Sequence, residues 1–228
     1  MKLRLLSAVL LLTTSLTSPA GPEAPFNGKD LSNWEIKNKA EGKWAVGDAT
    51  VKATDPKALE VKTGGSAMVN NVTGHGQGHD IYSKDKYGDM RLEIEVMVPK
   101  GSNSGIYVMG EYEVQVFDSF GKKDMTPGDM GAIYSAAVPK VNASKAPGEW
   151  QKYVIEFRAP KFDAQGAKTA SAVFVKVELN GTLLHENVEM KGPTPGGVTG
   201  RESTTGPLMF QGDHGAVAYR NIKVTPLK

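Results

Sequence analysis

Cysteine is absent from all 228 residues, which excludes thiol nucleophiles, thiolate-bound metals and disulfides in one step. A form exported to an oxidising compartment must hold itself together by packing alone, which a domain of this size can do. An excess of charge of one sign is also missing. The 27 basic and 25 acidic residues are interspersed and leave a net charge of +2, so nucleic acid is not an expected partner. There is no Gly-rich phosphate loop, no serine nucleophile elbow and no dinucleotide fingerprint. Beyond the first twenty residues there is no long helical period and no internal repeat.

Glycine and proline are plentiful, at 26 and 13 residues. That balance favours many turns, and so many short strands, over a few long helices. A hydrophobic share of 39% is enough for an ordinary core. Residues 1–20 have Lys2 and Arg4 ahead of an apolar run over 5–12 and a small-residue end at 18–20. This is the pattern of a secretory signal peptide, and the run is too short to span a bilayer comfortably. The expected division is a leader over 1–20 and a single domain over 21–228, exported to the periplasm or secreted. No membrane contact is expected after leader removal.

Strand signals fill the remainder. Residues 91–98, RLEIEVMV, alternate strictly, with Leu92, Ile94, Val96 and Val98 opposed to Arg91, Glu93, Glu95 and Met97. Residues 111–117, EYEVQVF, alternate again. Further extended pieces are expected over 105–109, 150–158, 172–179, 182–186, 207–211 and 216–224. Residues 44–52 read as two extended pieces broken at Gly47 and Asp48, and 64–80 and 118–145 read as loops. Asn180 and Gly181 signal a tight hairpin. Ten to twelve short strands with long loops predict an all-β, two-sheet antiparallel β-sandwich of jelly-roll type.

Glu111, Glu113 and Gln115 project from one face of an otherwise apolar strand. Carboxylates two residues apart share a side of a strand, an arrangement that can flank a sugar bond; it is equally the arrangement of a solvated sheet face. His214, between Asp213 and Gly215, can serve as general acid or base at neutral pH or lie exposed in a capped turn. His75 and His79, with Asp80, have the spacing of a metal clip, but a Gly-rich loop does not fix ligand geometry as a helix does. No metal and no cofactor is expected. His185 reads as a surface residue. Trp34, Trp44 and Trp150 could stack on sugar rings, although core packing is the commoner use and is expected of Trp44 and Trp150.

Motifs in order along the chain carry a resemblance: FNGKDLSNW (26–34), YGDMRLEIE (87–95), NSGI (103–106), YEVQV (112–116), GAIY (131–134), PGEW (147–150), QGDHG (211–215) and YRNI (219–222). Together they resemble the 3-keto-disaccharide hydrolase domain family over residues 26–225. The resemblance implies a concanavalin-like jelly roll. It also implies a carbohydrate partner, a sugar oxidised to a ketone at carbon 3 by a separate oxidoreductase. For that chemistry Glu113 is the expected base and His214 its acid or base partner. Gln115 and Arg220 would hydrogen-bond the substrate or its enolate, although alternation sets Arg220 opposite Tyr219 and a structural ion pair is an equal reading of it; Asp118 and Asp213 would orient neighbours, and Asn103 and Glu111 would line the rim. Tyr134 belongs to the same substrate-binding set. A non-catalytic sugar-binding module, an adhesion domain and a conventional retaining glycosidase are the alternatives. Gln115, standing where a third acid is usual, argues against the last of these.

Overall fold

The computed structural model describes residues 21–228, so the expected leader lies outside the described residues. Two antiparallel sheets stack into the expected sandwich. The smaller sheet contains β1 (Trp34–Ile36), β4 (Ile81–Tyr87), β6 (Asn103–Val108), β7 (Tyr112–Phe117) and β13 (Gly206–Phe210), in the order β1-β4-β13-β6-β7. The larger contains β2 (Trp44–Lys52), β3 (Asp55–Asn70), β5 (Met90–Met97), β8 (Gln151–Arg158), β11 (Val173–Leu179), β12 (Thr182–Glu189) and β14 (Val217–Pro226). Its order is β12-β11-β8-β5-β14-β3-β2. A short ribbon pairs β9 (Lys161–Phe162) with β10 (Lys168–Ala170). A single 3-10 turn, Lys37–Lys39, follows β1.

Period-two alternation decides what lies between the sheets. Leu92, Ile94 and Val96 of β5 pack with Tyr153, Ile155 and Phe157 of β8 against Tyr112, Val114 and Val116 of β7. Aromatic rings knit the layer: Tyr112 and Phe157 lie 5.2 Å apart between centroids, and Phe210 stacks on Tyr219 at 4.1 Å. Fully burying each such side chain stabilises the fold by about 1.5–3 kcal/mol, so a core this extensive holds without disulfides.

Three expectations change. Residues 44–52 form one continuous strand with a register shift between Gly47 and Asp48. A side chain at 47 would come within 2.5 Å of the Lys62 carbonyl, so that glycine serves a bulge and not a hairpin. Residues 64–70 belong to β3, which leaves 71–80 as the Gly-rich loop. Trp150 is not in the main core: it is half-buried on the outer face of the larger sheet, with Arg220 3.9 Å from its ring centroid. The expected hairpin at Asn180 and Gly181 is present, with both residues at positive φ (53° and 80°), as a type I′ turn requires.

Candidate active site

With Tyr112, Val114 and Val116 committed to the core, alternation turns Glu113, Gln115 and Phe117 to the opposite face of the smaller sheet. On the neighbouring strand the register pairs Asn103 with Phe117, Gly105 with Gln115 and Tyr107 with Glu113. Glu113, Gln115, Phe117, Asn103 and Tyr107 thus form the floor of a cavity of about 640 Å³, with Gln211 beside them at the end of β13. Gly105 makes this floor possible. A Cβ there would lie 2.1 Å from Glu113 Oε1, so a larger residue would evict the carboxylate.

Loops raise the walls. The excursion after β7 doubles back along that strand: Gln115 N donates to Ala132 O at 2.9 Å and Tyr134 N to Glu113 O at 3.0 Å. This return covers the strand edge and brings Tyr134 to the cavity. Lys122 and Asp129, in the same excursion, also line it, and Lys122 Nζ donates to both carboxylate oxygens of Asp129 at 2.7 Å. Burial pushes the Asp129 carboxyl up, but bonds from Lys122, Thr126 and Ser119 outweigh it and hold it below its ordinary range. On the far side stand Lys37, Asp80, Pro195, Gly196, Asp213 and His214. Lys37 Nζ donates to Asp80 Oδ2 at 3.1 Å and to Gly196 O at 2.5 Å.

Two properties mark the floor as chemically poised. Burial pushes the Glu113 carboxyl up to about 7, and the nearby charges of Asp80 and Asp213 add to the rise; the Tyr107 hydroxyl, which donates to Pro195 O at 3.0 Å, lies close enough to ease it back. The floor is also unsatisfied. Among the described residues six buried side-chain oxygens lack a hydrogen-bond partner, and four belong to this cavity: Asn103 Oδ1, Glu113 Oε1, Gln115 Oε1 and Gln211 Oε1. Leaving a buried polar atom unpaired costs about 1–3 kcal/mol. Four together identify a surface built to receive hydrogen-bond donors from a ligand.

The expected site residues therefore divide. Glu113, Gln115, Asn103, Tyr134, Asp213 and His214 meet in one cavity, with Asp213 Oδ1 in contact with His214 Nδ1. Glu111, Asp118 and Arg220 do not line it. Glu111 is buried beneath the loop that carries Pro195 and Gly196, where its carboxylate accepts from Thr199 N and Oγ1 at 2.7 Å and Gly200 N at 2.9 Å. It anchors the rim and lines a separate pocket beside Val198 and Thr199. Asp118 caps a turn, accepting from Gly101 N at 2.8 Å. Arg220 lies across the core on the outer face of the larger sheet, donating to Glu95 at 2.7 Å.

One more expectation is revised and two open possibilities close. His185 is buried, not superficial: its Nε2 lies 2.9 Å from Gly131 O, and burial pushes its pKa down. Asp80 is committed to Lys37 and to Gly212 N, not to a clip with the histidines. Trp34 is buried against Phe210 at 5.1 Å and offers no face to a sugar. Reasoning from sequence missed Lys37, Tyr107, Asp129 and Gln211. Tyr107 was within reach, since it shares strand parity with Asn103 and Gly105; Lys37 and Asp129 come from a turn and a loop that carry no periodic signal.

The family description "3-keto-alpha-glucoside-1,2-lyase-like domain" matches residues 21–225. The chain belongs to this family. The chain also resembles a curated 3-keto-disaccharide hydrolase from Bacteroides thetaiotaomicron, 30% identical over 104 residues. That match covers 45% of this chain and 31% of the relative, so it spans about a third of the relative's length. A solved candidate glycosyl hydrolase from Parabacteroides distasonis superposes with a TM-score of 0.71 at 30% identity, covering 92% of this chain and 86% of the other. A second from the same organism gives 0.61 at 20% identity, over 91% and 94%, and supports the fold. These comparisons establish the family and the fold.

Proposed function

We propose that this protein is an exported enzyme that opens glycosidic bonds of sugars already oxidised to a ketone at carbon 3. The observation that carries this reading is the pairing of Glu113, held near neutrality, with unsatisfied oxygens around it. Sugar hydroxyls are the donors those oxygens lack. A ketone at carbon 3 makes the hydrogen on carbon 2 acidic, and the Glu113 carboxylate takes that proton. The electron pair of the broken C2–H bond is held as an enolate on O3. It then returns to form the C1=C2 double bond as the bond from C1 to the glycosidic oxygen breaks.

The departing oxygen takes up a proton, and water adding back across the double bond makes the net change a hydrolysis. A base is most effective when its proton affinity matches the working pH, and the environment of Glu113 supplies that match. His214 lines the same cavity as Glu113, within which a proton donor or acceptor could reach the sugar oxygens. The leader-like residues 1–20 support export.

Incubation with paired plain and 3-oxidised glucosides tests the reading. Aglycone release is expected from the oxidised member alone. Glu113→Gln is expected to lower kcat by at least a hundredfold, the usual contribution of a positioned base, and His214→Ala to lower it severely. Binding of plain glycans with no release from keto sugars would favour a sugar-binding module instead. Near-normal turnover in both variants would remove the assigned roles.

A further inference from the structure

We propose that His75, Asp213 and His214 form a site for one divalent transition-metal cation at the edge of this cavity, and that the cation chelates the two adjacent oxygens of a 3-keto sugar. The three residues come from two loops far apart in sequence, one between β3 and β4 and the other between β13 and β14. Their candidate ligand atoms all lie within 4.8 Å of one another. The two imidazoles meet edge to face, with centroids 4.3 Å apart. Two ring nitrogens and a carboxylate oxygen suit zinc, manganese, cobalt or iron; calcium and magnesium favour oxygen alone.

Ligands about 2.0–2.2 Å from such an ion stand roughly 3–3.5 Å from each other. His75 is exposed and free to rotate inward over that difference. Contact between Asp213 Oδ1 and His214 Nδ1 leaves Nε2 of His214 and the second Asp213 oxygen for a ligand. The backbone beneath is firm. Buried Asn70 donates from Nδ2 to Gly212 O at 2.8 Å and to Gly215 O at 3.2 Å, and Gly76 N donates to Asp213 O at 2.6 Å.

An independent observation points to a ligand in the same cavity. Glu113 and Gln115 are only 2% and 6% exposed, they line the cavity that Asp213 and His214 also line, and each has a side-chain oxygen without a partner. Nothing among the described residues satisfies those oxygens. Three protein ligands leave coordination positions open, as catalytic metal sites do.

The substrate role rests on the function proposed above. A 3-keto sugar carries a hydroxyl on carbon 2 beside the ketone, and that pair of oxygens closes a five-membered chelate with a metal. Coordination draws electron density from the ketone, makes the C2–H bond more acidic and holds the enolate as it forms. His214 then serves as a ligand and not as a proton donor. This proposal departs from the sequence reading, which expects no metal.

The test uses the chain without a polyhistidine tag, stripped with chelator and dialysed against Mn2+, Co2+ or Zn2+. One cation per chain is expected. His75→Ala is expected to weaken binding at least tenfold, and His79→Ala, in the same loop, to leave it unchanged. Adding a 3-keto-glucoside is expected to shift the Mn2+ electron paramagnetic resonance or the Co2+ absorption spectrum. Sub-stoichiometric binding, or equal losses in the two histidine variants, overturns the site. Metal-free protein that turns over keto sugar at the full rate overturns its role while leaving the proposed reaction standing. Stoichiometric binding with no spectral response and no turnover keeps the site and overturns the substrate.

Discussion

Burying Glu113 beneath the cavity sets chemistry against stability. Its ordinary value is 4.5 and its environment raises it to about 7. A group raised in the folded state contributes fully below its unfolded value, and that contribution is lost as pH rises through the folded value. Below about 4.5 both states hold the proton and nothing is lost. Above about 7 both are ionised, and the folded chain carries a penalty of about 3 kcal/mol. Glu113→Gln removes the charge at constant volume. Its unfolding free energy is therefore expected to exceed the wild type's by up to about 3 kcal/mol at pH 8.5, with the gap closing toward pH 4.5, while activity falls. Urea unfolding at the two pH values checks this, and a gap independent of pH would contradict the assigned burial. The same ionisation makes wild-type activity rise with pH through about 7 if the carboxylate is the base.

One buried carboxylate gathers the far end of the loop over β7. Glu111 ties Thr199 and Gly200, and its own carbonyl accepts from Thr194 N at 2.8 Å. Beyond this anchor the loop supplies the Pro195 and Gly196 carbonyls that hold Tyr107 and Lys37. Glu111→Ala deletes three charge-assisted bonds and is expected to destabilise the protein by about 2–4 kcal/mol. Its sharper signature is local: hydrogen exchange at residues 194–200 accelerates and KM for the sugar rises, while kcat changes less. Uniform acceleration across the sandwich would mean that Glu111 braces the whole fold and not the rim. This element also marks how far sequence reading reaches. Alternation fixed the side to which Glu113 and Gln115 point, because one residue of slip would bury both in the core. It could not reveal which of the same-sided positions would be roofed by a loop eighty residues later. Glu111 is roofed and Glu113 is not.

The two faces of the sandwich have separate duties, and Arg220 shows why parity alone left it open between the substrate and an ion pair. Alternation opposite Tyr219 correctly sends Arg220 out of the core, but a two-sheet sandwich has two outsides, and sequence does not say which one holds the cavity. On the larger sheet's outer face Arg220 meets Glu95 and lies over Trp150, beside a run of pairs that includes Arg91 with Glu156 at 2.7 Å and Lys152 with Glu93 at 3.1 Å. Partly exposed pairs are screened by solvent, so the aromatic contact carries much of the value, and Arg220→Ala is expected to cost about 1 kcal/mol. A core of fully buried side chains separates that face from Glu113, and sites this distant with no shared partner act independently. Thermal unfolding of Arg220→Ala is therefore expected to shift downward by a few degrees while kcat and KM on a 3-keto-glucoside stay within twofold. A selective loss of kcat without loss of stability would place Arg220 back in the chemistry and would require the two faces to communicate through the core.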